Sequence, residues 1–395
     1  MEPSNEKKAK ILIVDDIHKN LQVLGSILQS EGYAVEFAVE GKSAIAWIEK
    51  VEFDLVLLDV MMPGTNGYEV CRKVKLNGKN ELLPVIFLTA KVDPQSIIEG
   101  FKAGAADYIT KPFIKNELLA RVKTHLEIKK SRDKLAYYLA EINEKRKSIT
   151  SSIRYAKNIQ EALLKTSETF TDIIPGHFIL NLPRDIISGD FYWFCCIDDI
   201  TIVAVMDCTG HGVPGALMST LGVTLLNETV FSQNIIRPNL ILDSLRSKLI
   251  RTLSQQGQDS IKDGIEGSIF SFDSKMKKFN FAGSSNSMLI VHDGKIREIK
   301  PDKVPIGYSY TKDDFQNFSL EIQSGDMVYF YSDGYVDQFG GPLSKKYLLK
   351  RFKEKLLTIH DLPLDKQWEE LHREFTGWKG DNEQTDDILV LGIRF

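Results

Sequence analysis

The sequence predicts two α/β modules joined by one long helix. The first is an open, doubly wound, five-stranded parallel sheet. The second is built from mainly antiparallel sheets flanked by helices. Three observations predict this. Continuous β-branched runs alternate with helical patterns from residue 10 to 127. Residues 116–166 contain neither glycine nor proline. From residue 169 onward, strand patterns follow at short spacing with turn residues between them.

In the first module, residues 11–14, 55–58 and 85–88 are apolar throughout. Such runs suit strands buried on both faces of a parallel sheet. Helical segments such as 20–29 and 43–49 supply the crossovers. A helix over the next fifty residues would be roughly 75 Å long. Within it Ile128, Leu135, Ile142, Ile149, Ala156 and Leu163 recur every seven residues. The matching d-type positions, Ser131, Tyr138, Lys145, Ser152 and Ile159, are mixed. That pattern predicts a weak coiled coil or a seam that re-registers; the alternative is a solvated spacer helix. In the last module, strands are expected at 177–182, 190–197, 201–206, 267–273, 277–282, 287–292, 327–332 and 387–393. Helices are expected at 213–231, 238–255, 343–358 and 364–375. Turns such as Asp198-Asp199 and Asp293-Gly294 imply antiparallel pairing.

Composition excludes several classes. A chain of 395 residues suits two or three domains at roughly 150 residues each. With 43% hydrophobic and 26% charged residues it is not a wholly disordered chain. The net charge of −4 points to no bulk binding of nucleic acid or anionic membrane. No apolar run approaches the ~18 residues of a membrane helix, and the polar start lacks a secretory h-region. Cys71, Cys195, Cys196 and Cys208 do not make a disulfide framework, and a reducing cytoplasm is expected.

The first chemical constellation lies at the strand ends. Asp15-Asp16, Asp59, Thr89 and Lys111 each follow a predicted strand. In a doubly wound sheet these ends open onto one crevice. Three carboxylates there repel one another, and Mg²⁺ suits them as a hard cation. A carboxylate beside it can accept a phosphoryl group as an acyl phosphate, with the Lys111 and Thr89 side chains meeting the phosphoryl oxygens. For any one of these residues a cap or turn role would be ordinary.

Residues 10–127 resemble the receiver domain of two-component response regulators, whose fold is flavodoxin-like. The resemblance rests on Val14-Asp15-Asp16, Leu58-Asp59-Val60-Met61-Met62-Pro63-Gly64, Leu88-Thr89-Ala90 and Lys111-Pro112. It implies that Asp59 is the phosphoacceptor and a histidine kinase the donor. It implies Mg²⁺ held by Asp15, Asp16 and the Met61 backbone carbonyl. Thr89 and Tyr108 would form the switch pair, Lys111 would bind the phosphoryl group, and the Lys111-Pro112 bond would be cis.

The second constellation pairs acids with glycines: Ser188-Gly189-Asp190-Phe191, Asp207-Cys208-Thr209-Gly210-His211-Gly212, Tyr331-Ser332-Asp333-Gly334 and Thr385-Asp386-Asp387-Ile388. Acids from four strands call for cations. Two Mn²⁺ or Mg²⁺ ions roughly 4 Å apart can activate water and clamp a phosphate.

From about residue 172, these motifs resemble the protein phosphatase 2C superfamily in its bacterial sporulation and stress-response branch. The resemblance implies an α/β sandwich and phosphoserine/phosphothreonine hydrolysis on a protein partner of anti-sigma-antagonist type. Asp207 would bridge two metals. Asp190 and the Cys208 backbone carbonyl would serve one, Asp333 and Asp386 the other. His211, Gly210 and Asp387 would support the ligands. Cys208 stands where many members have glycine, and Ser188 replaces the first glycine of the first motif. Arg184 is the nearest arginine in sequence to that motif, and it is not assigned to phosphate. The cysteines lack metal-ligand spacing and read as packing residues.

The expected organisation is a disordered stretch at 1–9, a receiver at 10–127, a helical linker at 128–168 and a phosphatase-like domain at 169–395. The expected function is a response regulator whose metal-dependent phosphatase output is controlled through a dimerising linker. The alternative is a catalytically inactive pseudo-phosphatase that binds a partner under the same control. A DNA-binding output is disfavoured by the acidic, strand-rich second half, and a nucleotide cyclase by the absence of a nucleotide-reading set.

Overall fold

The computed structural model describes residues 8–90, 94–164, 167–174, 176–253, 263–273, 275, 278–308 and 313–395. Most of the expected N-terminal stretch, residues 165–166 of the expected linker and residues 254–255 of the expected helix 238–255 lie outside them. The chain divides into two compact units, Met1–Arg146 and Lys147–Phe395.

The first unit runs β1 (Lys10–Val14), α1 (His18–Ser30), β2 (Ala34–Ala38), α2 (Gly41–Lys50), β3 (Leu55–Asp59), α3 (Gly67–Leu76), β4 (Val85–Thr89), α4 (Pro94–Lys102), β5 (Asp107–Thr110) and the start of α5 (Lys115–Leu163). Its strands pair in parallel in the order β2-β1-β3-β4-β5. Every residue of β3 and β4 is buried, because each face of the sheet carries its own helices. Leu12, Val14, Val56, Leu58 and Phe87 pack with Val70 and Val74 of α3. The alternate residues Ile11, Ile13, Leu57, Ile86 and Leu88 pack with Leu24 of α1 and Leu118 and Val122 of α5. The Asn66 side chain caps α3 by accepting from the Glu69 N–H.

Beyond its first turns α5 leaves its heptad positions in solvent. Leu135 is 61% exposed, Ile142 60% and Ile149 61%. Pairs four residues apart, Lys129–Asp133, Glu141–Lys145 and Lys157–Glu161, line the helix and support it by a few tenths of a kcal/mol each, about 0.3–0.5.

The second unit continues with α6 (Ser167–Ile173), β6 (His177–Leu182), β7 (Phe191–Ile197), β8 (Ile200–Cys208), α7 (Gly212–Asn227), α8 (Pro238–Thr252), β9 (Ile265–Asp273) and β10 (Lys278–Ser284). Then follow β11 (Met288–His292), β12 (Lys295–Ile299), β13 (Phe318–Leu320), β14 (Met327–Tyr331), α9 (Gly334–Asp337), β15 (Phe339–Gly340), β16 (Lys345–Lys346), α10 (Leu349–Ile359), α11 (Leu364–Lys379) and β17 (Ile388–Arg394). Two antiparallel five-stranded sheets result, β13-β10-β9-β8-β7 and β12-β11-β14-β17-β6, with β15-β16 as a separate hairpin. The sheets share a core in which Phe194, Val203, Phe270 and Phe279 meet Val328, Phe330, Leu389 and Leu391. The Phe270 and Phe330 rings stack at 4.6 Å. Helices α7 and α8 cover the outer face of the first sheet, and α10 and α11 that of the second. This is a four-layer α/β sandwich.

The local details depart from the sequence reading in three places. The helix expected at 343–358 begins only at Leu349. Lys345–Lys346 instead pairs back on Phe339–Gly340, and Leu348 takes φ +71°, which cannot continue a helix. The edge strand β13 was not expected, and β12 was implied only through the turn at Asp293-Gly294, without a range. The helix expected at 213–231 ends as α7 at Asn227 and widens into a π-helical turn over Glu228–Ser232. The turns hold as read: Asp198, Asp293 and Gly294 have positive φ at hairpin tips. Cys71, Cys195, Cys196 and Cys208 are all free thiols. Among the described residues, no helix is long and apolar enough to cross a membrane.

Candidate functional sites

In the first unit, the parallel order brings the C-terminal ends of β1, β3, β4 and β5 to one edge. Asp15, Asp16 and Asp59 place one carboxylate oxygen each within 4.8 Å of one another. Asp15 is fully buried, and Asp59 nearly so. The Asp15 Oδ1 accepts from the Ile17 N–H at 2.9 Å and from Asn20 Nδ2 at 2.9 Å. Lys111 Nζ donates to Asp15 Oδ2 at 2.8 Å and to Asp59 Oδ2 at 2.9 Å. Burial pushes the Asp59 carboxyl above its ordinary range, against the opposing pull of Lys111. Burial works against the Lys111 charge, but its bonds to Asp15 and Asp59 outweigh this and raise it. The Met61 N–H faces Asp59 Oδ1 at 3.4 Å. The buried Thr89 and the half-buried Tyr108 line one cavity with Tyr68 and Phe87. The Arg121 guanidinium lies 5.7 Å from the Tyr108 ring centre. The Lys111-Pro112 peptide is cis. Asn20, which orients Asp15, was not singled out in the sequence, because a polar residue near a helix start has no distinctive pattern.

In the second unit, Asp190 lies at the start of β7, Asp207 near the end of β8, Asp333 just after β14 and Asp386 just before β17. Strands β7 and β8 are hydrogen-bonded neighbours in one sheet, and β14 and β17 in the other. The site therefore lies where the two sheets meet at one end. Asp190 is 2% exposed. Its Oδ2 is buried and has no hydrogen-bond partner, while its carboxyl lies within reach of the Ser332 hydroxyl and the Asp207 carboxyl. Burial, with Asp387 and Asp386 nearby, pushes Asp190 up to about 8. Burial and the charges of Asp190, Asp333 and Asp386 push Asp207 well up. Asp333 opens toward solvent, yet partial burial of its carboxyl and the Asp386 charge raise it to about 6.

Asp387 is engaged differently. It is buried, and it accepts from the Arg184 N–H through Oδ1 and from the Gly189 N–H through Oδ2, both at 2.7 Å. The Arg184 guanidinium donates to the Thr385 carbonyl at 2.8 Å and so serves to join two loops. A Cβ on Gly189 would stand 2.8 Å from the Gly210 carbonyl and 3.4 Å from that of Cys208, so the Ser188–Asp190 segment lies directly against the Cys208–Gly210 loop. His211 Nδ1 lies 2.8 Å from Asp185 Oδ2. Asp185 was missed in the sequence reading, since nothing in a lone loop aspartate shows that it meets a histidine 26 residues on.

The two clusters differ in geometry. Among the described residues, only Asp15, Asp16 and Asp59 bring three ligand oxygens within 4.8 Å. The four aspartates of the second unit interact as neighbouring charges without that convergence. Their chemistry still fits cations. A buried carboxylate oxygen without a donor, beside a second acid that repels it, is a ligand set in need of positive charge.

Comparison with known proteins agrees with both halves. Residues 11–123 match the response regulator receiver domain family, and residues 198–395 match the stage II sporulation protein E (SpoIIE) family. Over 126 residues the chain is 44% identical to the transcriptional regulatory protein ResD of Bacillus subtilis (strain 168), covering 32% of this chain and 50% of that protein. It is 43% identical over 117 residues to the regulatory protein VanRc of Enterococcus gallinarum, covering 30% of this chain and 49% of that protein. The chain thus spans about half the length of these curated relatives. Among solved structures, the SiaA-PP2C domain of Pseudomonas aeruginosa is 30% identical, with a TM-score of 0.59, covering 64% of this chain and 98% of that one.

Proposed function

The chain belongs to the stage II sporulation protein E family and carries a response regulator receiver domain ahead of that module, and from this premise we propose that it is a metal-dependent phosphoserine/phosphothreonine protein phosphatase switched by phosphorylation of Asp59. The proposed domains are a receiver at 10–127, a linker at 128–168 and a phosphatase at 169–395, acting in the cytoplasm. The observation that carries the catalytic half is the partnerless, buried Oδ2 of Asp190 beside Asp207.

In the receiver, Asp15, Asp16 and the Met61 carbonyl would hold Mg²⁺. A histidine kinase is the donor: its N–P bond breaks as the Asp59 carboxylate oxygen bonds to phosphorus. Lys111 then meets the phosphoryl oxygens, and Thr89 follows them. Thr89 and Tyr108 line the same cavity, so a shift of the threonine would be felt by the tyrosine.

In the phosphatase, Asp207 would bridge two Mn²⁺ or Mg²⁺ ions. Asp190 and the Cys208 carbonyl would hold one, Asp333 and Asp386 the other. Such ions supply Lewis acidity that makes water nucleophilic and screens the phosphate. Asp387 orients the Gly189 peptide, and the Asp185–His211 pair orders the loop after Cys208. The ion shared by Asp207, Asp333 and Asp386 would draw three carboxylates together, closer than they stand in this structure. The open rim at Asp333 suits a phosphorylated segment of a protein, and an anti-sigma-antagonist-type phosphoprotein is the proposed substrate class. A parallel homodimer through α5 would connect the halves, drawing on its exposed heptad positions.

The second reading, a phosphorylation-controlled binding module without turnover, is favoured by the wider spacing of the second cluster. The deciding experiment measures hydrolysis of an aryl phosphate and of a phosphoserine protein with Mn²⁺. Activity lost in Asp207→Ala supports the enzyme, and an inactive wild type supports the binder. Comparing wild type with Asp59→Ala, with and without a small-molecule phosphodonor, tests control. An equal response of both chains would end the receiver's role.

A further inference from the structure

The last turn of α5 holds one polar side chain that the heptad pattern does not explain. Gln160 is 7% exposed, whereas Ile159 beside it is 50% exposed. The Gln160 Nε2 donates to the Ser188 carbonyl at 2.7 Å and to Ser219 Oγ at 2.7 Å. Ser219 lies in α7, and its hydroxyl donates a hydrogen bond to the Ala216 carbonyl at 2.9 Å. The carboxamide therefore joins three elements that are distant in sequence.

The Ser188 carbonyl and the Gly189 N–H belong to one peptide group. Gln160 holds its oxygen and Asp387 holds its N–H. The Ser188 hydroxyl has no hydrogen-bond partner and adds no hold of its own. A peptide plane held at both its oxygen and its N–H resists rotation, and this one lies one residue ahead of Asp190, joined to it through Gly189. Released at the oxygen, it retains only the Asp387 anchor and can pivot about it.

We propose that Gln160 is a positioning residue for Asp190: by fixing the Ser188–Gly189 peptide plane it holds that carboxylate in register with Asp207, and it makes this register depend on the last turn of α5. The proposal rests on the reading of Asp190 and Asp207 as metal ligands. An apolar residue would fill the same space without tying a helix end to a loop carbonyl. A turn or shift of α5 at this point pulls on the Ser188 carbonyl and the Ser219 hydroxyl together.

The test is Mn²⁺ binding by calorimetry on the full chain. Asp207→Ala serves as the blank for the receiver's own cation site. Gln160→Leu and the unbranched Gln160→Met are measured in parallel with thermal unfolding, so that a folding failure in one does not decide the matter. The expected result is an affinity about tenfold weaker in either folded variant, the scale of lost ligand-orienting contacts. Turnover of an aryl phosphate at saturating Mn²⁺ is expected to stay within about threefold of wild type, because the ligands themselves remain. Unchanged Mn²⁺ affinity in a folded variant would overturn the proposal alone. Identical isotherms for wild type and Asp207→Ala would overturn the metal reading and this proposal with it.

Discussion

The Lys111 ammonium stands 2.9 Å from Asp59 Oδ2, so the buried Asp59 carboxylate has its counter-charge supplied from the end of a strand two places away in the sheet. The same ammonium also holds Asp15. Lys111→Met would leave two buried carboxylates facing each other. Without divalent ions the first unit is expected to lose about 1–3 kcal/mol, read by urea unfolding at neutral pH. Added Mg²⁺ should restore most of the loss, since a divalent ion supplies the missing charge. A loss that Mg²⁺ leaves untouched would count against a cation site at this edge.

The second cluster makes stability depend on pH with a definite sign. Burial and the neighbouring acids push Asp190 up to about 8 and Asp333 up to about 6 in the folded chain, against about 3.9 for an unfolded aspartate. Between those values the folded chain holds protons that the unfolded chain has released. Stability without metal therefore falls as pH rises from about 4 to about 8. Melting temperatures in chelator at pH 5 and pH 8, for wild type and Asp190→Asn, check this. The variant is expected to show the shallower fall, and an equal fall in both chains would remove Asp190 as its source.

Asp386 and Asp387 are neighbours with opposite expected phenotypes. Asp387→Ala leaves the Arg184 and Gly189 N–H groups without their buried acceptor, at about 1–3 kcal/mol each. Denaturant midpoints should therefore drop clearly. Asp386→Asn should abolish Mn²⁺-dependent hydrolysis while the midpoint stays within about 0.5 kcal/mol of wild type. Reversed behaviour would exchange the two roles.

Ile142 tests the linker. It is 60% exposed, so Ile142→Asp costs the single chain little. In sedimentation analysis the wild type is expected to dimerise with a phosphodonor present and the variant to remain monomeric. A wild type that is monomeric in both states would remove dimerisation from the control scheme.

The features that could be read in advance are those set by local chemistry. Residues 11–14 of β1, 55–58 of β3 and 85–88 of β4 are all apolar because both faces are covered, and they could be read without the fold. The strand-end rule then gathered Asp15, Asp59, Thr89 and Lys111 at one edge. Asp293-Gly294 announced its hairpin through the backbone that such residues adopt. What escaped depends on contacts distant in sequence. Leu348 looks like a helix residue, and only the pairing of Lys345–Lys346 with Phe339–Gly340 forces it out of one. The edge strand β13 is three residues long and has no period to detect. Asp185, Asn20 and Gln160 are ordinary polar residues by composition, and only their partners across the fold distinguish them.

Strand β17 lies between β14 and β6 in its sheet, pairing the last strand of the unit with the first. A ribosome working along this message completes the receiver sheet early, because all five of its strands come from the first 110 residues. The second unit must wait for β17 before β6 has a strand partner. Interrupted translation would then yield chains with a complete parallel sheet and an unpaired β6.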